Sequence, residues 1–344
     1  NQGTVLSVAV DRAMHIAAAP ARDGGRVCRI YDLNCRQERQ FSMDNLAVKT
    51  KGDWANYVKG LVVEFNARGI EVPAFDAVLY GTVPLSAGMS SSAALEMAMV
   101  KIIFALTGND LGWLEGAKIG QGCENHYVGA NTGLMDQLSS MKGCRGQLIY
   151  SDFRSFEASN VPMPEGSVFV VANSMVKHNL TGEYNERRQS CETAARELNV
   201  KALRDVNWEQ LLASKSKVSP LPYRRALHVV GEMTRVAKGT EALSQGKLDK
   251  FGALMSESHA SSIENFENSC PEIDELVKIG AAQPGFLGGR ISGGGFGGIA
   301  VFLVKESEAA VFMSGLQHDY EAKHGVKLPV LLCNAADGAQ VWNV

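Results

Sequence analysis

Three consecutive serines, Ser90, Ser91 and Ser92, stand where a loop of small residues runs into a helix-forming stretch. A helix start leaves several backbone N–H groups without partners and carries partial positive charge, so a small-residue loop there can hold a phosphate. The hydroxyls can donate to phosphate oxygens or bind Mg²⁺. The Gly-Lys-Ser/Thr of the common P-loop does not follow. A simple helix cap is the alternative explanation of the serines.

Two acids further along the chain suit metal-dependent phosphoryl transfer. Glu124 lies near the expected end of a helix, where a negative charge is unfavourable unless a cation is close. Asp136 follows a turn that contains Gly133, from which a carboxylate can be presented to a ligand. One acid can bind the Mg²⁺ that bridges two phosphates, while the other orients or deprotonates the attacking hydroxyl. Taken singly, each acid is more typical of a surface Glu or an Asx turn.

The elements around these residues follow the order strand, loop, helix. Residues 75–81 alternate in polarity and predict a strand, whereas residues 93–106 are apolar, lack Gly and Pro, and predict a helix. A second helix is predicted for about residues 111–128. This order places the serines at a helix start and Glu124 close to a helix end.

An earlier helix, predicted for residues 54–66, carries two aromatic residues on one face. Trp54 and Tyr57 are three residues apart, so they lie side by side and could stack on a nucleotide base. Ordinary core packing is the commoner explanation of such a pair. Arg68-Gly69 ends this helix, since Gly can take the left-handed conformation of a C-terminal cap.

The remaining segments alternate between strands and helices. A strand is predicted at about residues 4–10, and residues 12–19 are either its continuation or a second strand. Further strands are predicted at about two places within 26–45 and at 148–152, 167–173 and 299–304. Helices are predicted at about 184–198, 208–212, 222–243, 248–266 and 271–281. A segment with two prolines, residues 161–166, predicts a junction between a domain at 1–160 and a domain at 161–344.

Residues 280–298 contain nine glycines and lead directly into a predicted strand. Such a density of glycine lets two backbones, or a backbone and a ligand, approach closely. A mobile linker is one alternative, but linkers do not normally run into a strand with Phe296 among the glycines. A dinucleotide-binding fingerprint is disfavoured because its glycines must be followed by a helix.

Composition limits the class of protein. At 344 residues and 45% hydrophobic, the chain can bury a large core and is expected to form two domains. The net charge is −3, and the chain has no basic block that would indicate nucleic acid or an anionic membrane, so a small-molecule partner is expected. We also expect a monomer. Seven scattered cysteines without a C-x-x-C pair predict a reduced, cytoplasmic enzyme.

Several strings together resemble the GHMP small-molecule kinases, and galactokinases in particular. Residues 84–96 resemble the second motif of the GHMP kinases and residues 290–298 resemble the third. Strings similar to galactokinases are Gly52–Gly60, Glu124–Gln137, Glu183–Arg188, Cys191–Arg196, Arg204–Val206 and Glu257–Ser261. The similarity covers nearly the whole chain.

This resemblance implies an α+β fold of two domains with the active site in the cleft between them. The N-terminal domain would be α/β and similar to ribosomal protein S5, and the C-terminal domain would combine a ferredoxin-like sheet with helices. The implied activity is transfer of the γ-phosphoryl group of ATP to the anomeric hydroxyl of galactose or a close relative, with Mg²⁺. A kinase for N-acetylgalactosamine, galacturonate or arabinose, and a non-catalytic sensor, remain alternatives.

The resemblance also implies a role for each matching residue. Asp136 would be the catalytic base or orienting acid, and Ser92 with Glu124 would hold Mg²⁺. The loop that wraps the phosphates would consist of Leu85, Ser86, Ala87, Gly88, Met89, Ser90, Ser91 and Ser92. Trp54 and Tyr57 would flank the adenine, and Gly133, Asp136 and Tyr184 would line the sugar pocket.

The sequence departs from the family pattern at its start. The family's first motif, which carries the catalytic Arg and most sugar-binding side chains, would lie immediately before Asn1. We therefore expect the numbering to begin inside a longer protein. The missing string leaves the sugar undetermined, but Asp136, Glu124 and Ser92 favour a kinase over a sensor, because a sensor would have no chemical need for the acid.

Overall fold

The computed structural model of the chain describes residues 1–84, 88–130, 132–176 and 181–343. Its strands are β1 (Thr4–Ser7), β2 (Met14–Pro20), β3 (Val27–Asp32), β4 (Gln37–Ser42), β5 (Phe75–Gly81), β6 (Gln147–Asp152), β7 (Glu157–Pro162), β8 (Ser167–Asn173), β9 (Phe286–Ser292), β10 (Ile299–Lys305) and β11 (Val330–Cys333). Its α-helices are α1 (Ala55–Ala67), α2 (Ser91–Thr107), α3 (Gly112–Gly122), α4 (Met135–Lys142), α5 (Thr181–Glu197), α6 (Trp208–Ala213), α7 (Pro220–Ser244), α8 (Leu248–Ser261), α9 (Pro271–Ala281) and α10 (Ala309–His324). Short π-helical segments, Cys123–Val128 and Ser262–Phe266, continue α3 and α8.

The chain divides into two compact units, and each unit is formed by two separate segments of the sequence. One unit contains Asn1–Ser7 and Gly146–Asn334, and the other contains Val8–Arg145 and Ala335–Val344. The predicted boundary after residue 160 differs from this division. Strands β6 and β7 form an antiparallel hairpin, and β6 also pairs with β1. The hairpin and Asn1–Ser7 therefore lie in one unit, together with the later part of the chain.

The unit that carries α1 to α4 is built on a four-stranded sheet. The strand order is β2-β5-β3-β4, in which β3 and β5 are parallel and the other pairs are antiparallel. Apolar side chains on successive helical turns are fully buried between the helices, and Phe65 of α1 meets Phe104 of α2 edge to face at 5.8 Å. This packing holds α1 and α2 together.

The other unit contains a four-stranded antiparallel sheet with the order β11-β8-β10-β9. Helices α9 and α10 lie against this sheet, and Phe302 and Phe312 are fully buried in its core. Helices α5 to α7 form a separate apolar cluster that includes Leu203, Leu211 and Ala226. The order of strands and helices from β8 to β11 is that of a ferredoxin-like motif.

Locally patterned elements match their predictions closely. The predicted strands at 75–81 and 167–173 and the predicted helix at 271–281 have the bounds of β5, β8 and α9. The predicted helix at 111–128 is present, but its last six residues are π-helical. Strand β7 extends to Pro162, which lies within the segment predicted as a domain junction, residues 161–166. Helices α4 and α10 and strands β7, β9 and β11 were not predicted.

In the part of the chain that the structure describes, we find no single helix that is both long and apolar enough to cross a bilayer. Only α2 together with residues 112–128 reaches that length and composition, as a pair bent by 119°.

Candidate active site

The serine loop and the predicted catalytic acid are brought together by a side-chain hydrogen bond. Ser90 Oγ donates to Asp136 Oδ2 at 2.6 Å, across 46 residues of sequence. Ser90 is the N-cap of α2 and has a left-handed backbone, with φ of 53°, which is uncommon for a residue other than Gly. Its hydroxyl makes no capping hydrogen bond to α2. The simple cap therefore does not account for Ser90.

Asp136 lies in the first turn of α4. A helix start stabilises a carboxylate through its partial positive charge, but this side chain is also half-buried. Burial raises the pKa of Asp136, the Ser90 hydrogen bond lowers it, and the charge of Glu124 raises it further. The net result is a pKa above the ordinary value, which makes the carboxylate a better proton acceptor than a solvated Asp.

Glu124 lies in the π-helical end of α3 and is only 5% exposed. Its Oε2 accepts a hydrogen bond from the Thr132 hydroxyl. The Thr132 backbone N–H donates to Asn125 Oδ1 at 2.8 Å, so the turn that precedes α4 is fixed to the π-helical segment. The placement near a helix end, predicted from the sequence, is confirmed, and Glu124 and Asp136 interact electrostatically.

A third carboxyl group stands behind these two and was not singled out from the sequence. Glu96 of α2 is completely buried, and Gln137 Nε2 donates to its Oε2 at 2.9 Å. Burial, together with the charge of Glu124, raises the pKa of Glu96 to about 9, so this side chain is neutral at pH 7. The sequence did contain a signal for Glu96, since it is an acid within the largely apolar run of residues 93–106.

Ser92 and Glu124 each carry the kind of donor atom that a hard cation prefers. Both residues offer oxygen atoms, and Ser92 lies in the first turn of α2. Among the described residues, no group of three or more His, Cys, Asp or Glu side chains is arranged to hold a metal ion. Mg²⁺ commonly takes only one or two protein ligands beside phosphate oxygens and water, so a site with two protein ligands is chemically sufficient.

The two aromatic residues predicted to flank a base lie at the start of α1. Trp54 is its N-cap residue, and Tyr57 is half-buried in the first turn. The indole N–H of Trp54 is buried and has no hydrogen-bond partner among the described residues. Burial raises the pKa of Tyr57, and the charges of Glu124 and Glu96 raise it further.

The other predicted site residues are only partly described. Gly88 has a left-handed backbone, and Met89 is half-buried beside it. Gly133 is exposed, with open space where a Cβ atom would stand. Tyr184 lies in α5, but its side chain falls outside the described part, as do the loop residues Leu85, Ser86 and Ala87.

The glycine-rich segment connects β9 to β10 as an antiparallel hairpin, so the prediction of a following strand is confirmed. Phe296 has a left-handed backbone, and its N–H donates to the Asn268 carbonyl at 2.6 Å. The Arg187 guanidinium of α5 lies over the Phe296 ring, 5.2 Å from its centre. These contacts hold the glycine-rich turn in a defined conformation rather than as a mobile linker.

Comparison with protein families gives two matches. Residues 56–144 match the model described as "GHMP kinases N terminal domain", and residues 240–322 match "GHMP kinases C terminal". Among curated proteins, galactokinase of Glaesserella parasuis serovar 5 (strain SH0165) is 38% identical over 99% of this chain and 90% of its own length. Galactokinase of Actinobacillus pleuropneumoniae serotype 5b (strain L20) is 40% identical with the same coverage.

Solved structures give the same result. The structure of Lactococcus lactis galactokinase complexed with galactose aligns with a TM-score of 0.91 and 28% identity, covering 98% of this chain and 89% of that one. A mevalonate kinase structure aligns with a TM-score of 0.67 at 16% identity, covering 98% and 93% of the two chains. At that identity the mevalonate kinase likeness concerns the fold alone.

Proposed function

Since the chain belongs to the GHMP kinases and, within them, to the galactokinase family, we propose that it phosphorylates galactose at the anomeric hydroxyl with ATP as the donor. The fold is the two-domain GHMP kinase fold expected from the sequence. Galactokinase relatives at 38% and 40% identity favour galactose over the other sugars and over a non-catalytic sensor.

The hydrogen bond between Ser90 and Asp136 is the observation that carries this proposal. It joins Asp136 to Ser90 of the predicted phosphate loop, which supports our proposal that the acceptor hydroxyl and the γ-phosphate meet beside this acid. Phosphoryl transfer requires mainly that the nucleophile be positioned and that developing charge be stabilised. In this proposal, the contact between Ser90 and Asp136 serves the first of these requirements.

The proposed reaction forms one bond to phosphorus, breaks another and transfers one proton. The anomeric oxygen of galactose forms a bond to the γ-phosphorus while the bond from that phosphorus to the β,γ-bridging oxygen breaks and ADP leaves. The hydroxyl proton passes to the Asp136 carboxylate, whose pKa is raised by burial. The backbone N–H groups at the start of α2 stabilise the phosphate oxygens.

We propose that Ser92 and Glu124 hold Mg²⁺, which when bound neutralises charge on the ATP phosphates. Glu124 is preorganised for this role, because Thr132 fixes its Oε2 and burial restricts its side chain. Trp54 and Tyr57 remain our prediction for the adenine site, and Gly133 and Tyr184 for the sugar site.

We further propose that the enzyme is a cytoplasmic monomer. The observation in support of a reducing compartment is that none of the seven cysteines forms a disulfide in the structure. Galactose and ATP are the proposed small-molecule partners.

A coupled assay of ADP release tests the function directly. Purified protein is incubated with ATP, Mg²⁺ and, in parallel, galactose, N-acetylgalactosamine, galacturonate or arabinose. We expect sugar-dependent ADP release to be highest with galactose and the product to be the 1-phosphate. Turnover only with another sugar would replace galactose by that sugar. Tight binding of galactose in calorimetry, without turnover of any sugar, would leave a sensor.

A further inference from the structure

A buried pair of polar side chains joins the two helices that carry the proposed active site. Glu96 is 0% exposed and Gln137 is 1% exposed. The Gln137 amide donates to Glu96 Oε2 at 2.9 Å, and this bond connects α2 to α4. A buried acid and amide could be replaced by apolar side chains without loss of packing, so their presence calls for a role beyond stability.

The pair lies directly behind the proposed site. Glu96 is one helical turn beyond Ser92 on α2, and Gln137 is the residue after Asp136 on α4. Helices α2 and α4 are thus joined twice, by Ser90 with Asp136 at the site and by Glu96 with Gln137 in the interior. Two such bonds fix both the distance between the helices and their rotation.

Helix α3 seals the pair from solvent through a glycine. A Cβ atom at Gly120 would stand 3.2 Å from Glu96 Oε2, 3.0 Å from Gln137 Cγ and 2.4 Å from Met97 Cε. Glycine within a helix costs about 1 kcal/mol relative to Ala, and here the close approach of α3 requires it. The pair is therefore enclosed on the side of α3.

The hydrogen-bond inventory of the pair also indicates which form Glu96 takes. Oε1 of Glu96 and Oε1 of Gln137 are both buried, and neither has a partner among the described residues. A carboxyl group that keeps its proton adds one donor next to these acceptors. The raised pKa of Glu96 agrees with this form. The side chain then joins the helices without adding a third negative charge beside Glu124 and Asp136.

We propose that Glu96 is a positioning residue whose bond to Gln137 sets α2 against α4 and thereby holds Asp136 at the phosphate loop. This inference rests on the proposed function, since its consequence is measured as kinase turnover. Glu96 itself touches neither nucleotide nor sugar in this role. It acts through Gln137 on the neighbouring Asp136.

Steady-state kinetics of three variants test the proposal. Glu96→Gln keeps an uncharged acceptor for Gln137 and should retain kcat within a few-fold of the parent. Glu96→Leu removes the bond, and we expect kcat to fall on the order of a hundredfold while KM for ATP changes by less than about threefold. The exchange Glu96→Gln with Gln137→Glu restores one acid and one amide, and should recover most of the activity that Gln137→Glu alone loses.

A matched pair of glycine variants separates positioning from general packing, and it also decides the case in which Glu96→Leu does not fold. Gly120→Ala presses on the pair, whereas Gly116→Ala, one turn earlier on α3, presses on Met141, Val100 and Phe104. We expect similar decreases in melting temperature but a decrease in kcat for Gly120→Ala only.

The outcomes separate a failure of the proposed function from a failure of the proposed role of Glu96. An inactive parent enzyme would contradict the proposed function. An active parent whose folded Glu96→Leu variant keeps its kcat would overturn the role of Glu96. Equal loss of kcat in Gly116→Ala and Gly120→Ala would overturn it as well.

Discussion

Asp136 is subject to opposing influences, since a helix start and Ser90 favour its charge whereas burial and Glu124 oppose it. We predict that Asp136→Asn lowers kcat by on the order of a hundredfold or more while ATP binding persists, because the amide cannot accept the proton. Turnover and nucleotide affinity are measured separately. Glu115→Gln, which removes an exposed acid on α3, is the control. Parental turnover in Asp136→Asn would make this acid structural.

The metal prediction concerns the buried acid Glu124 and the helix-start residue Ser92. Glu124→Gln or Ser92→Ala should raise the Mg²⁺ concentration needed for half-maximal activity and weaken ATP binding, because each change removes a hard oxygen ligand. Titration of activity with Mg²⁺ at fixed ATP measures this effect. Curves that superimpose on the parent for both variants would refute the assignment.

Gly133 allows a prediction about the sugar site without risk to the fold. Apart from its two chain neighbours, no described residue has an atom within 4 Å of the position that a Cβ would take, so Gly133→Ala should leave the melting temperature unchanged. If the residue lines the sugar pocket, the added methyl group should raise KM for galactose several-fold and leave KM for ATP unaltered. An unchanged KM for galactose would remove Gly133 from the pocket.

At the scale of elements, an ion pair joins the end of β6 to the short helical turn Leu203–Asp205. The Asp152 carboxylate accepts hydrogen bonds from two nitrogens of Arg204 and from the backbone N–H groups of Arg154 and Ser155, at 2.8 and 3.2 Å. These bonds, led by the Arg204 guanidinium, hold the pKa of Asp152 well below its usual range. The charged form of Asp152 therefore stabilises the native state.

We predict that Asp152→Asn lowers the free energy of unfolding by about 2 kcal/mol at pH 7, since Arg204 loses its charged partner. A carboxylate with a depressed pKa contributes its stability above the unfolded pKa of about 4, and this contribution is lost as pH falls further. Urea unfolding at pH 7 and pH 3 should show a smaller difference between parent and variant at pH 3. Glu157→Gln, on the exposed face of β7, serves as the control; an equal effect there would count against Asp152.

At the scale of the whole molecule, the accessibility of the seven cysteines distinguishes the native from the unfolded protein. Cys28, Cys123, Cys191, Cys270 and Cys333 are buried, Cys144 is half-buried and Cys35 is exposed. The Cys35 thiol donates to Asp32 Oδ2 at 3.1 Å, and the loss of some solvent around the thiol, together with that carboxylate, raises its pKa. Its reaction at neutral pH should consequently be slower than that of a free thiol.

We predict that a thiol reagent labels one or two cysteines of the native protein and all seven in denaturant. Cys35→Ser should remove the first phase of labelling without altering kinase activity. Mass spectrometry of the labelled protein identifies the sites. A disulfide found in protein purified without reductant, or rapid labelling of the buried Cys123, would contradict this picture.

The local elements of this protein could be predicted from its sequence alone. The spacing of apolar residues and the local composition predicted the bounds of β5, α2 and α9 nearly to the residue. The reason is that local spacing determines which side chains share a face of these elements. The loop of small residues and two of the acids could also be identified, since a helix start and a helix end impose their electrostatics locally.

Only the tertiary structure decided which of these residues meet. The contacts of Ser90 with Asp136 and of Glu96 with Gln137 span 46 and 41 residues of sequence, so they depend on how α2 and α4 pack. The same packing buries Glu96 and keeps it neutral, which no local pattern specifies, since a pKa depends on surrounding charge and solvent. The division into units likewise follows from β1 pairing with β6, a long-range contact that the prolines at 162 and 164 could not indicate.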